Sequence, residues 1–324
     1  MLNHMSRVGL VLGGGGITGA AFEFASLMAL RLATNWDPAT AELIVGTSSG
    51  ATVAAAARGG GLDIATMTLG AHHRDEFAQR LGTVLLSRTS PRGWGRWVRH
   101  GLLPGLRRPG IDLALGGPAI FDPTGISNYV EAMAGPLADS WPDQPTWVVA
   151  CQLDTRQRVV FGAPGAPLAR LRDAVAGSAA VPMLYQPVEI DGVLYVDGGV
   201  ISGTNADLVL EFPEPLDLVI VVAPLAGRQP RSSARLYQGI FERIGFDSLD
   251  RELHTLKRQA PDTDILVLRP DQMVLTAARS NPMSPTAAVP TFVRTLAFLR
   301  RELAKAEVWE MLSHHLIDRQ PTRR

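Results

Sequence analysis

Cysteine is almost missing from this 324-residue chain. Cys151 is the only one, which excludes a disulfide scaffold, and its place inside an apolar run reads as a small core residue. Lysine is confined to Lys257 and Lys305, so arginine carries the positive charge. There is no charge excess either: 31 basic residues face 31 acidic ones. A formally neutral chain exerts no long-range pull on polyanions, and no nucleic-acid partner is expected. No group of His, Cys and carboxylates has metal-ligand spacing, so neither metal nor cofactor is expected. No apolar run reaches the length needed to span a bilayer, and no apolar signal segment precedes the first strand-like run. The expectation is a cytoplasmic protein, with peripheral contact at the inner membrane face if it touches lipid. No internal repeat is evident. Apolar residues are plentiful, at 46% of the chain, and at this length they can fill one large core or two unequal ones.

The most informative stretch is Glu42-Leu43-Ile44-Val45-Gly46-Thr47-Ser48-Ser49-Gly50-Ala51. A short apolar run ends in G-x-S-x-G and continues into an Ala-rich, helix-favouring sequence. A strand that turns at once into a helix strains the apex residue, and Gly46 and Gly50 answer the close approach of the two elements. Ser48 at that apex would stand at a helix N-terminus, where backbone N–H groups stabilise an anion. Small-residue turns match the pattern by chance in a Gly- and Ala-rich chain, so its context decides.

Upstream, the strand-like Arg7–Leu12 leads into Gly13-Gly14-Gly15-Gly16-Ile17-Thr18-Gly19 and then a run with helical apolar spacing. Consecutive glycines let main-chain N–H groups approach a negative oxygen, either a dinucleotide pyrophosphate or the oxyanion of acyl transfer. Gly14-x-Gly16-x-x-Gly19 fits the dinucleotide fingerprint by letter. That fingerprint also expects an acid at the end of the second strand. Here that strand ends in Gly46-Thr47-Ser48, and Asp37 lies before it, which weakens the nucleotide reading. Downstream, Asp191-Gly192 makes a turn, Val193–Val196 a short strand, and Asp197 stands before Gly198-Gly199. Alone, Asp197 reads as a turn cap sooner than as a site residue.

A glycine-rich loop, an early G-x-S-x-G and a late D-G-G in this order resemble the patatin-like phospholipase family. Leu171–Pro182 looks like the family's segment before the Asp strand, and Val148–Asp154 with Val159–Phe161 like its central strand pair. The resemblance covers roughly residues 7 to 225. It implies a three-layer α/β fold with a largely parallel central sheet, and a lipid acyl hydrolase that cleaves ester bonds. It further implies Ser48 as nucleophile, Asp197 as base and an oxyanion loop at Gly14, Gly15 and Gly16. Gly19, Gly46, Gly50, Gly198 and Gly199 would support those motifs. The alternatives are a non-catalytic lipid-binding relative and a nucleotide-binding protein using Gly14–Gly19. The chain departs from the family at Thr18, where Arg or Lys is usual, and in Asn205-Ala206, where Asn and Pro are usual.

A triad normally employs His. His254 follows Asp197 in chain order, yet Arg251, Glu252, Lys257 and Arg258 around it read as a solvated helix face, and His4, His72, His73, His100, His314 and His315 have no better claim. A carboxylate base needs a dry site, which predicts a buried, narrow approach to Ser48.

From Phe77 to Ile111 there is no acid, while seven arginines from Arg80 to Arg108 are interleaved with Trp94, Trp97, Leu102, Leu103 and Leu106. Arg beside Trp and Leu suits an anionic membrane interface. Residues 77–120 thus read as a lid-like basic insertion after the nucleophile helix, with membrane contact through Arg92, Trp94, Arg96, Trp97 and Arg99; the bland alternative is a surface loop. Leu216–Pro224 and Asp264–Pro270 read as strands, and 230–260 and 290–316 as helices, so 226–324 is expected to be mostly helical and packed on the same domain. The loop from Gln272 to Pro290 is placed at the border of the site.

Overall fold

A computed structural model describes residues 6–61, 73–103, 106, 115–226, 236–279 and 281–317. His4, His72, Arg107 and Arg108 lie outside them. Among the described residues the sheet has eight strands: β1 (Val8–Leu12), β2 (Leu43–Thr47), β5 (Thr146–Gln152), β6 (Arg158–Phe161), β7 (Val188–Ile190), β8 (Val193–Asp197), β9 (Leu218–Val222) and β10 (Asp264–Leu268). A separate two-stranded sheet pairs β3 (Arg88–Arg92) with β4 (Ala119–Phe121). β10, β9, β1, β2 and β5 run parallel, while β6 and β8 are antiparallel to β5 and β7 is antiparallel to β8. The largely parallel α/β architecture agrees with the sequence.

The apolar runs become fully buried strands because helices cover both faces. Leu10, Leu12, Ile220 and Val222 point to one layer, packed with Phe22, Leu27 and Leu30 of α1 (Gly16–Thr34) and Leu299 of the helix Ala288–Glu302. Val11, Val45, Val219 and Val221 point the other way, onto Leu249 and Leu256 of the helix Leu236–Gln259. The alternation is the period-2 pleat of a strand seen from both sides. The C-terminal residues therefore supply one sheet strand and a helix to each layer.

Two expectations need correction. By length and hydropathy α1 does reach the size of a membrane span, but 67% of that window is buried inside the fold, as befits a central core helix. The single helix read over 290–316 is two, Ala288–Glu302 and Ala306–Leu312, separated at Leu303–Lys305.

β6 occupies one edge of β5 along Val148–Cys151, so β2 and β8 must share the other. Thr47 lies beside Val149, and Asp197 beside Ala150. The two strands therefore abut end to end. The hairpin that sends β8 back toward β2 turns at Asp191 and Gly192, both with positive φ (50° and 75°), the geometry of a tight two-residue loop.

Candidate active site

Ser48 sits between β2 and α2 (Ser49–Arg58) at φ 56° and ψ −120°, a backbone conformation disfavoured for a residue with a Cβ. The flanking glycines show what holds it there. A Cβ on Gly50 would overlap the Leu12 carbonyl, and one on Gly46 would come within 2.6 Å of the Ala51 Cα. The helix is pressed against the ends of both strands, and the apex absorbs the strain.

Ser48 Oγ donates to Asp197 Oδ2 at 2.6 Å, and Asp197 Oδ1 accepts the Gly199 N–H at 2.7 Å. Ser48 is 6% exposed and Asp197 is 2% exposed, matching the dry approach expected. Burial pushes the Asp197 carboxyl up to about 6, against the opposing pull of the hydrogen bonds from Ser48 and Gly199. Gly198 lies where a Cβ would strike the Val149 carbonyl, so the turn after Asp197 is held tightly on β5. No imidazole is hydrogen-bonded to Ser48 or Asp197 among the described residues, and His254 is exposed on its helix. His315 is engaged elsewhere, between Ser6 and Asp264.

Ser178 holds a place that its sequence does not mark. Its Oγ accepts the Ser48 N–H at 2.9 Å and donates to the Val149 carbonyl at 2.6 Å. It fills the gap where β2 has ended and β8 has not yet begun, pairing backbone groups that the ladder cannot reach. A buried serine in the run Ala174–Ala180 carries no sequence signal for that role, because the role exists only where two strand ends meet.

The glycine loop follows β1. Gly14 packs on Ser48 so closely that a Cβ on it would stand 3.2 Å from the Ser48 Cβ. The expectation that Gly14 supplies an oxyanion donor is corrected: its N–H is given to the Gly203 carbonyl at 2.7 Å. Gly15 and Gly16 make no N–H hydrogen bond among the described residues, and they lie at the N-terminus of α1. Gly19, one turn into that helix, faces Ser49 Oγ. Thr18 is buried, with its N–H on the Pro282 carbonyl. Asn205 is buried too, and donates from Nδ2 to Thr47 Oγ1 at 3.1 Å and to the Ser202 carbonyl at 2.8 Å.

Ser48 and Ser49 lie on a cavity of about 170 Å³. Its walls come from α1 (Ile17, Ala20, Phe24), the helix Arg74–Leu85 (Phe77, Leu81, Leu85), the helix Thr124–Ala134 (Ile126, Tyr129, Met133) and Met283 to Phe292. The Gln272–Pro290 stretch thus borders the site, although Gln272–Ala278 is helical behind an Asp271 cap. Beneath the wall, Glu23 is fully buried, and neither carboxyl oxygen makes a hydrogen bond of normal geometry. Burial raises its carboxyl well above the usual range, with the neighbouring Ser49 hydroxyl opposing.

A strained serine bonded to a buried carboxylate, at the strand ends of a largely parallel sheet and beside an apolar cavity, is the candidate site of this layered α/β protein. The Patatin-like phospholipase family model matches residues 10–210, more than half of the chain, and the chain belongs to that family. That family is one of lipid acyl hydrolases.

Proposed function

We propose that this protein hydrolyses carboxylic esters of lipids, phospholipid or lysophospholipid, through a Ser48 acyl-enzyme. The observation that carries the reading is the 2.6 Å hydrogen bond from Ser48 Oγ to Asp197 Oδ2 on the wall of the apolar cavity. Ser48 Oγ attacks the ester carbonyl carbon as its proton passes to Asp197 Oδ2. The carbonyl oxygen, now an oxyanion, is received by the amides of Gly15 and Gly16, joined by that of Ser49 at the start of α2. Collapse of the intermediate expels the alcohol, which takes the proton from Asp197. Water then gives a proton to the same carboxylate and attacks the acyl carbon; collapse releases the fatty acid as Asp197 returns that proton to Ser48 Oγ, which restores both residues. The acyl chain lies in the cavity, where each buried methylene contributes about 0.8 kcal/mol.

Contact with an anionic membrane belongs to the same reading, in altered form. Trp94 is 61% exposed and Leu106 72%, with Val98, Leu103 and Arg99 exposed beside them, in a segment without acidic residues. Arg96 is not part of this surface: its guanidinium turns inward to Gln186 Oε1 at 2.7 Å and to the Gly116 carbonyl. Trp97 lies edge-on to Trp94 and packs under Gly101, and the Arg92 side chain lies outside the described part. Arg156 bonds the His100 carbonyl, and His100 Nδ1 lies 3.3 Å from Asp154, so the segment is tied to the β5–β6 turn.

The test is exposure to a fluorophosphonate probe with the modified residue located by peptide mass. Labelling at Ser48 that is lost on denaturation supports the proposal. No labelling of the folded protein, with or without vesicles, overturns it in favour of a non-catalytic lipid binder or a nucleotide-binding loop.

A further inference from the structure

Glu252 lies outside residues 10–210, on the helix Leu236–Gln259, and is 8% exposed. Its carboxylate is met by donors from a single loop, 198–206. Ser202 Oγ donates to Oε1; Thr204 Oγ1 donates to Oε2 at 2.6 Å, and the Ala206 N–H donates to Oε2 at 2.9 Å. Ser202 Oγ in turn accepts the N–H groups of Thr204 and Asn205. The loop is thus wound around Ser202, and Glu252 clamps it from below.

The same loop touches each part of the active centre. It begins at Asp197 and returns the Gly199 N–H to that carboxylate. Its Gly203 carbonyl receives the Gly14 N–H, which seats the glycine loop. Asn205 reaches Thr47, the residue before Ser48. Nucleophile, base and oxyanion loop come from three strands, and among the described contacts this loop is what joins all of them.

We propose that Glu252 is a positioning residue, which sets the base and the glycine loop relative to Ser48 through the loop 198–206. The proposal rests on the reading of Ser48 and Asp197 as a dyad. Convergent donors on a buried carboxylate give strong, directional bonds. A displacement of 1 Å at a reacting group costs about 100-fold in rate.

The experiment compares wild type with Glu252→Ala, Glu252→Gln and Thr204→Val. The readouts are the fluorophosphonate labelling rate of Ser48, kcat and KM on a p-nitrophenyl acyl ester, and peptide hydrogen exchange. Glu252→Ala is expected to lower kcat and the labelling rate by about 100-fold with KM unchanged, because the cavity is untouched. Exchange should rise in 198–206 and at Gly13–Gly16 rather than along the helix Leu236–Gln259. Glu252→Gln keeps the acceptor for Thr204 and Ala206 and should recover most of the loss. If Glu252→Ala does not fold, Thr204→Val carries the test, with a smaller fall in the same two rates. Unchanged labelling in a folded Glu252→Ala, or in Thr204→Val where the former fails to fold, overturns the proposal. If wild type itself is not labelled, the dyad reading fails instead. Exchange at Gly14 and Gly199 then still shows whether Glu252 holds the loop.

Discussion

Thr47, the last residue of β2, and Asp197, the last of β8, lie head to head along one edge of β5, beside Val149 and Ala150. This junction is the origin of the site. A parallel strand and an antiparallel strand arrive from opposite directions, so Ser48 and Asp197 at their tips, 149 positions apart in sequence, come within hydrogen-bond distance. Ser178 closes the gap between the strand ends.

The elevated Asp197 carboxyl bears on the pH dependence. The proposed mechanism needs its base form, so kcat/KM on a soluble ester is expected to fall below a single apparent pKa near 6. A profile flat down to about pH 4.5 contradicts Asp197 as base.

Asp197→Asn separates activity from stability. It should lower kcat by about 10²–10⁴-fold, the range for losing a general base. The folded state holds the Asp197 proton more tightly than the unfolded chain does. Stability from this group is therefore greatest at low pH and is lost as pH rises from about 4 to about 6. The loss amounts to about 3 kcal/mol. Asparagine does not ionise, so at about pH 7 the variant should melt no lower than wild type; a lower Tm by calorimetry refutes the argument.

Ser178→Ala should leave the Ser48 N–H and the Val149 carbonyl buried without partners. A loss of about 1–3 kcal/mol for each group is expected in urea unfolding, together with slower Ser48 labelling. Wild-type stability in this variant means that the strand junction is satisfied in another way.

The cavity predicts chain-length dependence. Values of kcat/KM should rise by about fourfold per methylene, the equivalent of about 0.8 kcal/mol, until the cavity is filled. Ala20→Phe intrudes on its wall and should abolish the gain for long acyl chains while sparing acetate and butyrate esters. Equal losses on every chain length place the acyl group elsewhere.

For membrane contact, Trp94→Ala with Arg99→Ala should weaken sedimentation with anionic vesicles at low salt, whereas Arg96→Ala should lower Tm instead, because Arg96 is bonded within the protein. Equal vesicle binding by all variants removes the lipid-facing surface.

How much of this is legible in the sequence differs from residue to residue. Ser48 and the strands β1, β2, β5 and β9 can be read because their determinants are local: uninterrupted apolar runs and small residues spaced for a strand-to-helix turn. Asp197 on its own sequence reads first as a turn cap, since Asp before Gly-Gly caps turns more readily than it serves a site. Arg96 is misread as lipid-facing because nothing in Trp94–Arg99 reveals that Gln186 lies within reach of it.

The sequence by itself determined the layered α/β class, the strained apex at Ser48 and the glycines that permit it, since these follow from periodicity and from the steric demands of neighbouring residues. Only the tertiary structure decided that Gly14 spends its N–H on Gly203, that Ser178 bridges two strand ends, and that Glu252 from the C-terminal helix grips the loop behind Asp197. The physical reason is the same in each case. A polar group's partner is chosen by what folding brings within about 3 Å, and between residues 48 and 252 no local pattern encodes that distance.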